Sequence, residues 1–362
     1  MKQLIFALNC PKFDTGIHPE VAQWKDIYSL ISSGVNIIDR CEHIAMPFNF
    51  KSVFPVPTDL SNFNKSYKDI CIEHAKELIE HSKRIGKPIV ILFSGGIDST
   101  VVAISFILAA EGDYSNIKIA LSPHSIRENP NFYYEHIRGK FEMLPSESIL
   151  QEINTDYIMV GGEGNDQLFG TDIYKIFRDY AGISSLHEKY NENNIVPFLT
   201  NSGLRENSAK LWFSLMDGQI KATQRCEINT IKDFFWWYNF CYKWQNVYFR
   251  IPARSILRTP LTQEVLNNNY FQFFMTDDFQ KWSMLNPDKK VGDTWTSYKQ
   301  HAKEFIFEFD RDEEYLKYKT KVPSLINIFR KRMAADGIDS NYQLIHKVNH
   351  EDYYNPNNSF IE

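Results

Sequence analysis

The sequence predicts an α/β protein with a doubly wound parallel sheet, a helical C-terminal portion and a small N-terminal extension. Three observations predict it. Ile89 to Phe93 is a short, β-branched apolar run that leads through Ser94-Gly95-Gly96 into an apolar helix pattern at Val101, Val102, Ile104, Ile107 and Leu108. Ile117 to Leu121 repeats the short apolar run. Tyr157 to Val160 repeats it again and opens into a second glycine-rich turn, Gly161 to Gly170. Strand, helix, strand, helix, strand is the pattern of a parallel sheet, whose ligands bind at the carboxyl ends of its strands.

The elements follow in order. Lys2 to Leu8 reads as a strand. Pro19 to Ser32 has helical spacing at Val21, Trp24, Ile27, Tyr28 and Ile31, ended by Gly34. Pro47 to Pro57 is proline-punctuated and reads as an extended surface crossing. Tyr67 to Ile85 is a helix with one face at Ile70, Cys71, His74, Leu78 and Ile79, stopped by Gly86 and Pro88. A further helix begins within Asn131 to Ile137, and the chain reads as mostly helical from Thr171. Phe234 to Phe249 holds ten aromatics in sixteen residues, either a buried or interface helix or a substrate wall of stacking faces. Residues 309–321 are charged and lysine-rich, and the polar tail from Asn349 is expected to fray. The domain boundaries expected are 1–85, 86–325 and 326–362.

Composition bounds the function. Hydrophobic content of 43% with 23% charged residues suits a cored globular protein. A net charge of −5 gives no overall basic field for nucleic acid. Five cysteines without a Cys-x-x-Cys pair argue against a zinc or iron–sulfur site and for reduced thiols. The apolar start is too short for a signal peptide and no run reaches membrane-spanning length, so a cytoplasmic location without membrane partners is expected.

The first turn has the chemistry of an anion cradle. Its two glycines allow close approach of the backbone, and the helix N-terminus behind them favours a phosphate. Ser94, Ser99 and Thr100 add hydroxyls. Asp98 beside a phosphate needs an intervening cation, and Asp166 offers a second carboxylate from the second turn, so Mg²⁺ would reconcile the charges. The bland alternative for Asp98 is an ordinary helix cap.

Ser-Gly-Gly-x-Asp-Ser resembles the pyrophosphate loop of the ATP pyrophosphatase superfamily, and the Lys-bearing phosphate loop is not matched. Val160 to Gly170, VGGEGNDQLFG, is similar to the SGEGxDELFGG segment of the synthetase domain of asparagine synthetase and of related amide- and lactam-forming enzymes. Ser255 to Leu261 resembles that family's ExRxPFLD region, and Lys299 and Lys319, twenty residues apart, its catalytic lysine and later RxK lysine, so the resemblance spans roughly residues 86–325. It implies an adenine nucleotide alpha-hydrolase-like fold and cleavage of ATP between the α and β phosphates. Ser94, Gly95, Gly96, Asp98 and Ser99 would hold the pyrophosphate, with Thr100, Ser122 and Gly162 also lining the nucleotide. Asp98 and Asp166 would ligate Mg²⁺. Glu163 would assist attack by an amine, and Lys299 would stabilise charge on the α-phosphate, Lys319 and Lys321 being the other candidates for that role; a solvated helix lysine is the alternative for Lys299. Arg258 would shape the pocket.

The departures are as specific. Lys2, followed by Gln3, stands directly after the first methionine, where glutamine-using members carry a catalytic cysteine, Gln167 replaces an acidic residue, and Thr262 and Gln263 stand near the missing Asp of ExRxPFLD. The expectation is an ATP- and Mg²⁺-dependent ligase joining a small-molecule carboxylate to ammonia or another amine, with a homodimer left open. A nucleobase- or nucleotide-modifying enzyme with the same loop, or a non-catalytic nucleotide-binding relative, are the alternatives.

Overall fold

The computed structural model describes residues 2–8, 24, 27, 37–150, 153–170, 172–254, 260–320 and 335–358. The chain divides into two compact units, residues 60–169 with 254–333 and residues 1–59 with 170–253 and 334–362. These cut the chain at other points than 1–85, 86–325 and 326–362.

In the first unit, β1 (Ile89–Leu92), β2 (Ile117–Leu121), β3 (Glu142–Pro145), β4 (Ile158–Gly161) and β5 (Tyr270–Gln272) form one all-parallel sheet in the order β3-β2-β1-β4-β5. The unit is therefore α/β. Ile91 lies opposite Ile119 on one side and Val160 on the other, and all three are buried. Such a strand, apolar at every position, is what a sheet covered on both faces requires. The expected strands recur, with β4 one residue later than Tyr157 to Val160. Two strands lacked a sequence signal. β3 is an edge strand of mostly exposed residues that includes Pro145, and β5 is only three residues long.

Helix α1 (Tyr67–Ile85) has the bounds its periodicity predicts. Ser66 caps it by accepting the Asp69 amide, and Gly86 ends it in the left-handed region at φ 67°. It buries Ile70, Cys71, Ala75 and Leu78 and packs against α2 (Ile97–Ala109), so it belongs to the sheet unit rather than to an N-terminal extension. Tyr67 explains the attachment: its ring meets those of Phe169, Phe274, Phe279 and Trp282 at centroid distances of 5.0–6.3 Å. The segment Asn131 to Ile137 is helical as expected, as a short turn through Phe132 followed by a wider one to Ile137.

In the second unit, strand Leu4–Ala7 pairs antiparallel with Gly337–Asp339, which pairs with Leu344–Ile345. The tail is therefore structured up to residue 358, against expectation. Tyr353 and Tyr354 are buried, and the Asn49 amide donates to Tyr353 O at 2.8 Å. The stretch Pro47 to Pro57 is not a simple surface crossing either, since Phe48 and Val56 are buried. The side chain of Gln245, fully buried, donates to Ile5 O and Lys51 O and accepts from the Val53 amide, all at 2.7–2.8 Å. The aromatic segment is the core of this unit. Helices Ile231–Trp237 and Trp244–Phe249 flank a wide helical turn at Tyr238–Tyr242, and nine of the ten aromatics are buried against one another, Tyr248 being the partly exposed one. The helix expected over Pro19 to Ser32 lies outside the described residues apart from Trp24 and Ile27. Among the described residues no helix is long and apolar enough to cross a membrane.

Candidate active site

The turn after β1 is shaped by its own hydroxyls. The Ser94 amide donates to Ser99 Oγ at 3.1 Å and the Gly96 amide to Ser94 Oγ at 3.3 Å. Ser99 and Thr100 hydroxyls donate to Gly96 O at 3.1 and 2.9 Å. Gly95 is required twice over. Its φ is +79°, and a Cβ there would stand 2.3 Å from Ser125 O and 2.8 Å from Glu128 Cβ. Gly96 is the N-cap of α2 and supplies no side-chain cap, so the first-turn amides of a thirteen-residue helix remain available to an anion. Ser122 caps α3 (Pro123–Glu128) in a reciprocal box with Ser125, which holds α3 against Gly95.

The second turn lies beside the first. A Cβ on Gly162 would meet the Ser99 amide nitrogen at 3.3 Å and Asp98 C at 3.4 Å, so this backbone rests on the start of α2. A Cβ on Gly161 would fall 2.4 Å from Gln272 Oε1, the atom that accepts the Glu163 amide at 3.0 Å. Gln272, at the end of β5, thus fixes the backbone from which the half-buried Glu163 projects.

A cation joins the two turns. Lys299 Nζ lies 2.6 and 2.7 Å from the two oxygens of Asp98 and 2.6 Å from Asp166 Oδ1. Its side chain is 2% exposed, while those of Asp98 and Asp166 keep 27% and 26%. It is not a solvated helix lysine. Lys299 occupies the left-handed region, φ 58° and ψ 31°, immediately before α4 (Gln300–Asp310). A non-glycine residue held there marks local strain that the surroundings must maintain.

Neighbours hold the carboxylates. Asn165 Nδ2 donates to Asp98 Oδ1 at 2.7 Å, and the buried Asn165 is fixed in turn by the Tyr67 hydroxyl at 2.9 Å. The Tyr298 hydroxyl donates to Asp166 Oδ1 at 3.0 Å, its ring stacked on Trp295 at 4.9 Å and 5°. Burial pushes the Asp98 carboxyl above its ordinary range, and Asp166 pushes the same way. The Lys299 ammonium and the Asn165 hydrogen bond oppose them without cancelling the rise.

The sheet unit thus gathers Ser94, Gly95, Gly96, Asp98, Ser99, Thr100, Gly162, Glu163, Asp166 and Lys299 around two adjacent turns. Lys319 is not among the groups holding the carboxylates. Its ammonium pairs with the Glu128 carboxylate and donates to Glu128 O at 3.2 Å, on the α3 side of Gly95. Lys321, Arg258 and the rest of Ser255 to Thr259 lie outside the described residues. Thr262 accepts the Val265 amide at 3.1 Å, so it caps the helix that begins at Gln263, near where the resembled motif has an acid. Sequence reasoning missed Asn165, Tyr298, Gln272 and Tyr67. Asn165 and Tyr298 each adjoin a residue that was singled out, a weak but usable signal; Gln272 and Tyr67 had none.

The donors suit a hard divalent cation. The two carboxylates offer oxygen ligands alone, and one ammonium between them leaves a net negative charge at the pair. No model of a known protein family matches the chain, and no curated protein sequence matches it.

Proposed function

We propose that the sheet unit is a cytoplasmic ATP- and Mg²⁺-dependent ligase that adenylates a small-molecule carboxylate, releases pyrophosphate, and transfers the acyl group to ammonia or another amine. The observation that carries this reading is the Lys299 clamp, which brings carboxylates from two different turns onto one buried ammonium. The strand order supports a doubly wound, adenine nucleotide alpha-hydrolase-like sheet. Successive strands run from β1 to β3 on one side, and β4 and β5 follow on the other. The turns after β1 and β4 therefore flank the point where the order reverses, which is where such sheets bind ligands.

Each residue then has a task. The amides from Gly95 to Ser99 and the dipole of α2 receive the pyrophosphate end of ATP. Asp98 and Asp166 would hold Mg²⁺, which when bound neutralises phosphate charge. Lys299 keeps a cation fixed where negative charge develops as the carboxylate oxygen attacks the α-phosphorus, and no reorganisation is needed at that moment. Tyr298 and Asn165 keep the two acids turned toward it. Glu163, on the turn held by Gln272, accepts a proton from the amine as nitrogen attacks the acyl carbon and AMP departs.

The test is nucleotide analysis after incubating purified protein with ATP, Mg²⁺ and mixtures of carboxylates and amines. AMP and pyrophosphate are expected in equal amounts, together with an amide product. ADP and phosphate alone would sink the reading, and ATP bound but never split would make the protein a nucleotide-binding relative instead.

A further inference from the structure

Within the second unit, two thiols face each other. Cys41 Sγ and Cys241 Sγ are 3.8 Å apart, although 200 residues separate them in the chain. Both are reduced. Their approach is built by the backbone on either side. The Ile38 amide donates to Tyr242 O at 3.0 Å, and Arg40 Nη1 donates to Phe240 O at 2.8 Å. The Arg40 guanidinium is buried against the rings of Phe240 and Trp244, at 5.3 and 4.8 Å, and Nη2 donates to Pro55 O. Residues 38–41 and 240–242 are therefore pinned side by side, with the two sulfurs between them.

Asp39 stands within 4.8 Å of the two thiols, a group that could hold a metal ion, and its oxygens also bond to the surrounding chain. Oδ1 accepts the Cys41 amide at 2.9 Å and Gln219 Nε2 at 3.1 Å, and Oδ2 accepts the His43 and Ile44 amides at 2.9 and 2.8 Å. The carboxylate organises the turn that carries Cys41. What remains is a pair of thiols of unequal character. Cys41 is half-buried, and the hydrogen bond from Cys241, aided by the Arg225 guanidinium, brings its thiol below the usual range against burial and Asp39. Cys241 is fully buried, and burial pushes its thiol well up.

We propose that Cys41 and Cys241 are a peroxide-oxidisable dithiol that closes to an intramolecular disulfide. The Cys41 thiolate attacks one oxygen of a hydroperoxide. The O–O bond breaks, the other oxygen leaves as hydroxide or alkoxide, and Cys41 becomes a sulfenic acid. The Cys241 sulfur then attacks the Cys41 sulfur. Its proton and the sulfenic hydroxyl leave as water, and the S–S bond forms. Two thiols are oxidised and one peroxide is reduced. The sulfurs must approach by roughly 1.8 Å to reach bonding distance. A small-molecule thiol reverses the change by exchange.

Treatment of the full-length protein with hydrogen peroxide, alkylation of remaining thiols and non-reducing peptide mapping test this. Peptides containing Cys41 and Cys241 should appear joined, two hydrogens lighter than their sum, and dithiothreitol should separate them. Cys41→Ser should abolish the link. Cys241→Ser should leave Cys41 as a sulfenic acid that dimedone traps, and Cys226→Ser should change nothing. Should Cys241→Ser fail to fold, as judged by circular dichroism, Cys241→Ala serves the same purpose, and the wild-type map decides alone. The proposal is overturned if both cysteines stay alkylatable after peroxide, if either links to Cys226 instead, or if the protein carries one equivalent of zinc that Cys41→Ser releases.

Discussion

Asp98 is the residue on which the candidate site turns. Its folded carboxyl titrates above the ordinary value of 3.8, so the native state keeps this proton to higher pH than the unfolded chain does. The stability this contributes is complete below about pH 4 and is lost as pH rises through the folded value. At neutral pH the ionised group is held at a cost that Lys299 partly offsets. Asp98→Asn should therefore leave the thermal midpoint unchanged or raise it, flatten the acid limb of the pH–stability curve, and abolish AMP formation. Lys299→Met should do the reverse to the fold. With no ammonium between Asp98 and Asp166, stability at pH 7 should fall by about 3 kcal/mol, the lower end for a broken buried pair because both acids keep some exposure. That loss should shrink as pH falls through the raised folded value of Asp98, which then takes a proton. Denaturant melts of both variants from pH 4 to 8 check the pair of outcomes, and a Lys299→Met protein as stable as the parent would show the clamp to be idle. The two acids and the lysine were legible in the sequence as candidates because each sits in or near a short motif. Their mutual distances were not, because Lys299 follows Asp98 by 201 positions and no local pattern reports a contact of that range.

Among the elements, the turn after β1 makes the sharpest prediction. Gly95 combines a positive φ with a missing Cβ whose place is taken by Ser125 O at 2.3 Å. Gly139 has nearly the same φ, +77°, with nothing within 4 Å of its absent Cβ. Gly139→Ala should thus cost only the left-handed strain, about 1 kcal/mol, and leave ATP binding intact. Gly95→Ala adds a backbone collision, so α3 must move away from the turn, and ATP affinity should fall at least tenfold in a calorimetric titration. Equal behaviour of the two variants would mean that the packing of α3 on the turn is irrelevant to binding. The strand–turn–helix unit was readable because β1 is apolar throughout and the glycines mark its end. β3 was not readable because an edge strand has one partner and keeps solvent on much of its surface, so the apolar signal is absent. The wide turn at Tyr238–Tyr242 was also invisible, since an extra residue in a helical turn leaves no trace in a segment where nearly every side chain is buried.

For the whole molecule, the lesson concerns chain order. The sequence read as an extension, a domain and a tail, whereas the first and last stretches share one three-stranded sheet. Strand pairing between residues 4–7 and 337–339 is non-local and leaves no periodic signature. It has a measurable consequence. A chain ending at residue 333 would lose Ile338, Tyr353 and Tyr354, each buried and worth roughly 2 kcal/mol, and would bare the edge of Leu4–Ala7. Such a protein should bind a hydrophobic dye, melt at lower temperature and aggregate on concentration. A truncated protein indistinguishable from the parent in these assays would return the tail to the status of a loose end.

The Lys299 clamp also sets a timetable for synthesis. Asp98 and Asp166 leave the ribosome long before the residue that neutralises them, which follows Asp166 by 133 positions. At roughly 5–20 residues per second, the nascent chain carries both acids for about 7–27 s with no Lys299 to bridge them. Throughout that interval the two glycine turns have no Lys299 ammonium to draw them together, so the candidate site is among the last features of its unit to be completed.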